Sequence, residues 1–357
     1  MAKFYSLKVK DIKKETNEAV SVSFDIPVNL QSEFLFTQGQ YVTLKLKIEG
    51  EEIRRSYSIC TSPYYEKELR VAVKEVKGGK ASSFINRNLK IGDVIDVMTP
   101  MGSFYTPLSG SNEKHYILFA GGSGITPMMS ILKSVLYIEK KSKVTLVYAN
   151  RSEETTIFAS ELKVLANENP DRFTLLPVLE LSAHPIPQFQ SGILTKENVL
   201  AIIENHIGLN KDNEFFICGP GPMMENVKSA LEEVRVNKAN IHIEYFSAVI
   251  DAVSKAEEKT ENNIDSEVTV IMYGVETNFK LKTNGSSILD AALEAGVDVP
   301  FSCKGAVCCT CRAKVVEGSA LMKANFALTD SEVADGFILT CQAHPTSSKV
   351  IVDYDAM

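Results

Sequence analysis

The sequence predicts a multidomain chain: an antiparallel β-barrel, then a doubly wound α/β domain, then a small α+β unit. Three observations predict it. The first hundred or so residues carry many short strand patterns and no helical periodicity. A middle stretch then repeats strand, Gly-rich turn and helix. Last, a charged segment separates that stretch from a further apolar unit that holds most of the cysteines. At 357 residues the chain exceeds what one compact core organises.

In the first unit, expected over 1–108, the runs FYSLKVKDI, AVSVSFDI, QYVTLKLKI, LRVAVKEV and DVIDVM alternate or cluster β-branched and aromatic residues. Turn signals such as KGGK and IGD divide them. Short strands in this number close into a barrel or stack as a sandwich. In the second unit, 109–248, YILFA leads through GGSGITP into MMSILKSVLYIE, and KVTLVYAN, FTLLPVL, FFICG and IHIEYF follow at spacings that leave room for helices. That rhythm is the mark of a mostly parallel sheet. Thr126 is placed to cap the helix after GGSGITP, with Pro127 at its first helical position. Residues 249–266 are charged and poor in large apolar side chains, which predicts a linker. The third unit, 267–357, opens with VTVIMY and NFKLK. A helix follows from Ser287, with Asp290 completing its cap and Gly296 ending it.

Composition narrows the functional classes. Apolar residues make up 45% and the net charge is −7, so nothing points to nucleic acid or an anionic membrane. The N-terminal MAKFYSLKVKD lacks a signal peptide's apolar core, and no run reaches the ~18 apolar residues of a spanning helix; a soluble, cytoplasmic protein is expected. Five histidines without i, i+4 pairing give no histidine metal site. An odd count of seven cysteines argues against a disulfide framework.

The cysteines are informative by their spacing. Cys303, Cys308 and Cys311 form C-x4-C-x2-C, and Cys341 follows 30 positions later. This is the spacing of plant-type 2Fe–2S sites, where a tight loop turns backbone N–H groups toward sulfur and a distant thiolate ties it down. Zinc is the rival, but its usual second C-x2-C pair is missing. Cys309 falls outside the spacing and is expected to pack. Ala306 stands where such sites often carry Gly, and if that position needs φ > 0 an Ala there costs about 1 kcal/mol.

Residues 267–357 resemble plant-type ferredoxins, which implies a β-grasp fold. RRSYS at 54–58 resembles the R-x-Y-S motif of the ferredoxin–NADP reductase superfamily. The resemblance implies that Arg55 meets the FAD pyrophosphate, Ser56 and Tyr57 line the flavin site, and Ser58 bonds near flavin N5. VAVK with GGKASS resembles the second flavin segment, implying roles for Val73, Lys74, Gly79 and Ser82. GGSGITP resembles the loop for the NAD(P)H pyrophosphate, implying Gly122, Ser123, Gly124 and Thr126. CGPGPMM starts a G-x-G-x-x-G pattern but has Met224 at its third glycine, so the dinucleotide fingerprint fails. It is similar instead to the superfamily's C-G-P motif, placing Cys218, Gly219 and Pro220 near the nicotinamide. Glu244 and Phe246 resemble the residues that close the flavin site. Arg151 follows a strand end where NADPH and NADH are told apart, and a guanidinium there suits a 2′-phosphate.

The domain order resembles that of oxygenase reductases. It implies electrons passing from NADPH, or NADH, through FAD and the cluster to a protein acceptor such as a diiron oxygenase. Reductases of other hydroxylases, desaturases or hybrid-cluster proteins fit the same pattern. A redox sensor with these cofactors, or a zinc-stapled interaction module, stays open as well.

Overall fold

The computed structural model describes residues 3–246 and 263–356. Most of the expected linker lies outside the described residues, and its last two positions already belong to a strand that opens at Asp265.

The barrel is built from β1 (Phe4–Thr16), β2 (Ala19–Asp25), β3 (Tyr41–Ile48), β4 (Glu51–Ser58), β5 (Leu69–Lys74) and β6 (Val94–Met98). They form one sheet in the order β4-β3-β6-β1-β2-β5. Just past β4, Ile59 bridges Val71, and the Cys60 N–H donates to the Arg70 carbonyl at 2.9 Å. The sheet thus curls until its two edge strands meet, which removes most of the exposed edge. Leu7, Val22, Val42, Leu44, Val71 and Val97 fill it. A helix, α1 (Lys80–Arg87), corrects the all-β expectation for this unit. It is only two turns long and buries Ala81 and Ile85, one i, i+4 pair, too short a repeat to stand out between strand patterns.

The second unit alternates β7 (His115–Gly121), α2 (Ile125–Ile138), β8 (Lys143–Asn150), α3 (Ala159–Glu168), β9 (Phe173–Leu179), α4 (Lys196–Ile202), β10 (Asn213–Cys218), α5 (Gly221–Glu233) and β11 (Ile241–Glu244). All five strands are parallel, in the order β11-β10-β7-β8-β9. The chain runs outward from β7 in both directions, so a crevice opens at the carboxyl ends of β7 and β10, where such sheets bind ligands. The barrel packs on this domain through polar contacts. Ser130 Oγ donates to the Thr61 carbonyl at 2.7 Å, and buried Lys133 meets Glu66 at 2.9 Å and Glu161 at 3.1 Å.

The third unit has β12 (Asp265–Met272), β13 (Val275–Lys282), β14 (Arg312–Glu317), β15 (Ala320–Met322), β16 (Phe337–Leu339), β17 (Ala343–Pro345) and β18 (Lys349–Asp353). Its mixed sheet runs β13-β12-β18-β14-β16, with β15 and β17 paired apart. The helix Ile288–Glu294 buries Ile288, Leu289, Ala291 and Ala292 against the core. As expected, Ser287 Oγ accepts from the Asp290 N–H at 3.1 Å, and Gly296 adopts φ +84°, the left-handed C-terminal stop. Among the described residues no helix is long and apolar enough to cross a membrane.

Candidate functional site

Two sites emerge. The first is the cysteine loop, which joins the helix Ile288–Glu294 to β14 without regular structure. Its path depends on two left-handed residues, Lys304 at φ +50° and Ala306 at φ +61°. Ala306 is fully buried, and its strain for a β-carbon is that anticipated from the sequence. The turn it makes brings the thiols together in two pairs. The sulfurs of Cys303 and Cys308 lie 3.1 Å apart, and the free Cys311 thiol donates a hydrogen bond to Cys341. Donors converge on them: the Gly305 N–H on Cys303 at 3.3 Å, the Ala306 N–H on Cys341, and the Thr310 N–H and hydroxyl on Cys308.

Among the described residues no three His, Cys, Asp or Glu side chains converge on a single metal ion. Two separate thiol pairs instead suit a cluster with two irons, each taking two thiolates, and N–H groups aimed at sulfur stabilise the deprotonated form. The residues therefore fit a 2Fe–2S group. Cys309 turns away, its Sγ donating to the Ala327 carbonyl at 3.4 Å.

The second site lies at the carboxyl ends of β7 and β10. Here glycines permit contacts that no side chain could. A β-carbon on Gly124 would sit 2.1 Å from the Cys218 carbonyl oxygen, one on Gly219 2.9 Å from the Gly121 nitrogen. The loops of β7 and β10 are thus locked backbone to backbone, with Cys218 fully buried beside them. The expected helix start is corrected. Gly124 is the N-cap of α2, and Thr126 sits within the first turn, its hydroxyl donating to the Ser123 carbonyl at 3.0 Å. Gly122 takes φ +53° and Ser123 is half-buried. The tight turn lets the helix begin two residues sooner and leaves its free N–H groups at the crevice.

Strand register carries the chemistry further. Cys218 is paired with Glu244 of β11, and the buried Ser58 of β4 donates its hydroxyl to Glu244 Oε2 at 3.0 Å. Enclosure pushes the Glu244 carboxyl up from 4.5 to about 8, against the lowering effect of Ser58. Burial likewise holds the Cys218 thiol well above its usual range, with Glu244 adding to it. Ser58, Cys218 and Glu244 are therefore one constellation, drawn from both the barrel and the α/β domain.

The remaining residues distribute as follows. Arg55 is exposed on β4 with its guanidinium on the Arg54 carbonyl at 2.7 Å, and Ser56 and Tyr57 beside it are half-buried. Val73 turns its side chain into the barrel core, leaving only its backbone for a ligand. Gly79 is the N-cap of α1, and the Ser82 hydroxyl is occupied by its turn, donating to the Gly79 carbonyl at 3.2 Å. Phe246 is exposed. A cavity of about 320 Å³ opens beside the switch point, lined by Lys74, Gly122, Arg151, Pro220 and, unforeseen from sequence, Asn150 and Glu180. Both of these stand at a parallel strand's carboxyl end, the one signal that could have found them.

Comparison with known proteins gives a consistent answer. Three family descriptions match in chain order: an oxidoreductase FAD-binding domain over residues 6–106, an oxidoreductase NAD-binding domain over 118–229, and a 2Fe–2S iron–sulfur cluster binding domain over 270–346. One of the subunits of 1,2-phenylacetyl-CoA epoxidase from Escherichia coli (strain K12) is 37% identical over 359 residues, covering 100% of this chain and 99% of that one. The ferredoxin reductase component of 3-ketosteroid-9-alpha-monooxygenase from Rhodococcus rhodochrous is 32% identical, covering 98% and 96%. In fold, the chain is similar to phthalate dioxygenase reductase, with TM-score 0.58 at 24% identity over 98% of both chains. It is also similar to an intact type IV self-sufficient cytochrome P450 monooxygenase, with TM-score 0.70 at 18% identity, over 98% of this chain and 41% of that one. The chain belongs to the ferredoxin–NAD(P)H reductase superfamily, as an NAD(P)H-dependent electron-transfer oxidoreductase with FAD-, NAD- and 2Fe–2S-binding domains.

Proposed function

We propose that this reductase serves a diiron oxygenase of the phenylacetyl-CoA epoxidase kind, in phenylacetate degradation, with NAD(P)H as donor. The observation that carries this reading is the end-to-end match to the Escherichia coli epoxidase component, at 37% identity against 32% for the steroid monooxygenase reductase. The steroid enzymes support a second reading, in which another monooxygenase is the acceptor. Thiols unpaired in disulfides suit a reducing, cytoplasmic setting.

We assign the residues as follows. Cys303, Cys308, Cys311 and Cys341 hold the cluster. The flavin site takes Arg55, Ser56, Tyr57 and Ser58, the backbone of Val73, and the turn of Gly79 and Ser82, and Phe246 is assigned to it by the resemblance alone. FAD supplies the conversion between hydride pairs and single electrons. Gly122, Ser123, Gly124 and Thr126 present the N-terminus of α2 to the dinucleotide pyrophosphate, and Lys74, which the resemblance gives to the flavin, also lines the cavity beside them. Gly219 and Pro220 keep the crevice narrow enough for a flat ring, and Arg151 stands at its far end. Ser58, Cys218 and Glu244 act on protons and access. With its carboxyl raised to about 8, Glu244 stays protonated near neutral pH and holds one proton against Ser58, while Cys218 stays a neutral thiol and keeps water out.

Reconstitution tests the acceptor. Purified reductase mixed with the epoxidase oxygenase component from the same cells should support NAD(P)H-dependent consumption of phenylacetyl-CoA. Capture of a different oxygenase from native lysate, with no turnover of phenylacetyl-CoA, would favour the second reading.

A further inference from the structure

The core of the third unit holds a phenol where apolar packing alone would suffice. Along β18 every second residue turns inward, Val350 and then Val352, and the same alternation carries Tyr354 into the core. Burying a phenol costs free energy unless its hydroxyl finds a partner, and Phe would fill the same space. The backbone around it is pinned. The Tyr354 N–H donates to the Ile271 carbonyl at 3.0 Å, and the Asp355 carboxylate accepts from the Tyr273 N–H at 3.0 Å and the Gly274 N–H at 2.7 Å.

The hydroxyl is aimed at the cysteine loop. Tyr354 Oη lies 2.7 Å from Thr340 Oγ1, and Thr340 Oγ1 lies 2.9 Å from the Cys311 carbonyl oxygen. A carbonyl only accepts, so Thr340 gives its single proton to Cys311 and Tyr354 gives its own to Thr340. The Thr340 N–H reaches the same carbonyl at 3.2 Å. Thr340 is fully buried, next to Cys341 in sequence, and the pairing of Arg312 with Leu339 sets it opposite Cys311. The chain of hydroxyls therefore ends between the two members of one thiol pair. Burial first, and then the charges of Cys311 and Cys341, raise the Tyr354 phenol above its ordinary range, so ring and sulfurs are electrostatically coupled.

We infer that Tyr354 is a positioning residue for electron transfer, orienting the Thr340 hydroxyl on Cys311 and so easing reduction at the Cys311–Cys341 pair. This rests on the reading that the four cysteines hold the 2Fe–2S group. Each O–H in the chain points its positive end toward Cys311. That polarity favours the state with the extra electron, and hydroxyls bonded in series strengthen one another. One electron enters from the flavin and leaves for the acceptor, and no proton changes place along the chain. Without the Tyr354 proton, the buried Thr340 oxygen keeps an unanswered lone pair and its hydroxyl is less firmly aimed.

The test is a potentiometric titration of the full chain followed by electron paramagnetic resonance, with iron and sulfide counted in each variant. Tyr354→Phe keeps the ring and should keep the iron. Its ratio of reduced to oxidised protein at a fixed potential should fall about threefold, within the span of one hydrogen bond. Thr340→Val should lower the ratio at least as far, while Thr340→Ser, which retains a hydroxyl, should stay close to the wild type. Adding Tyr354→Phe to Thr340→Val should bring no further fall, because Tyr354 acts through Thr340. A wild-type potential in Tyr354→Phe with its iron in place would overturn the inference, and so would an equal fall in both backgrounds. Thr340→Val reads the same chain with the ring untouched, and a wild-type potential there would overturn it too. Wild-type protein that holds neither iron nor sulfide would instead remove the cluster reading on which the inference rests.

Discussion

The cysteine loop and the switch-point crevice solve the problem of holding a cofactor in opposite ways. In the loop, three of the four thiols and the N–H donors of Gly305, Ala306 and Thr310 lie within nine residues. Only Cys341 comes from elsewhere. The crevice has no such local unit. Ser58, Gly124, Cys218 and Glu244 come from four elements, and the Ser58–Glu244 bond spans 186 residues of sequence. Chemistry on a short loop needs one strained turn and can tolerate an alanine there, because ligand bonds offset the strain. Chemistry assembled from strand ends needs backbone contact between loops, and that admits only glycine.

Substitutions in the two regions should therefore fail differently. The largest effect is expected from Cys308→Ser, which removes one thiol of a pair. Iron should be lost and delivery to a protein acceptor should fall by orders of magnitude, while NADPH-driven reduction of ferricyanide survives on the untouched crevice. Cys309→Ser should change neither, since its sulfur faces the Ala327 carbonyl. An iron site that needs Cys309 and not Cys308 would show the ligand register to be wrong.

Gly124→Ala is the corresponding test of the crevice. Its β-carbon would meet a backbone oxygen at 2.1 Å, which cannot swing aside as a side chain can, so overpacking should cost about 1–3 kcal/mol. Thermal denaturation should show the loss, together with slowed hydride transfer and an intact iron content. Iron loss in this variant would deny that the two regions are separable.

Glu244 gives the crevice a pH signature that the loop lacks. Its folded pKa of about 8 lies above the ordinary 4.5, so the folded protein keeps a proton that the unfolded chain releases. The resulting stabilisation is full below about pH 4.5 and is lost as pH rises toward about 8. Glu244→Gln should flatten that decline in denaturant titrations across the same window. An unchanged slope would contradict the raised pKa. The smallest effect belongs to the loop: Ala306→Gly should relieve the left-handed strain and stabilise the third unit by about 1 kcal/mol. Destabilisation would mean that the methyl group's burial outweighs the backbone term.

The contrast also explains what the sequence made legible. The approach of Cys303 to Cys308 follows from their spacing because the geometry is local, and the Ala at 306 does take the left-handed backbone that a Gly there would have eased. Strand and helix rhythm separated the units for the same reason, since periodicity is a local property. The register of α2 is not legible locally: Thr126 and Pro127 are good starting residues, yet the turn at Gly122 lets the helix begin earlier. Helix α1 leaves no periodic mark in the sequence, because two turns give too few repeats. Asn150 and Glu180 carry no motif; only the parallel alignment of β8 and β9 turns them into one wall. Ser58 and Glu244 were named through resemblance, but their hydrogen bond belongs to tertiary structure alone.

The central claim is that one chain joins a nicotinamide-fed flavin site to a cluster held by two cysteine pairs. Anaerobic addition of NADPH to the purified protein, followed by visible absorbance and electron paramagnetic resonance with iron, sulfide and flavin assays, tests it most directly. The expected result is two irons, two sulfides and one FAD per chain, with flavin bleaching and a reduced-cluster signal in the wild type. In Cys308→Ser only the bleaching should remain. A protein that holds zinc in place of iron, or a flavin that NADPH and NADH both leave oxidised, would contradict the account.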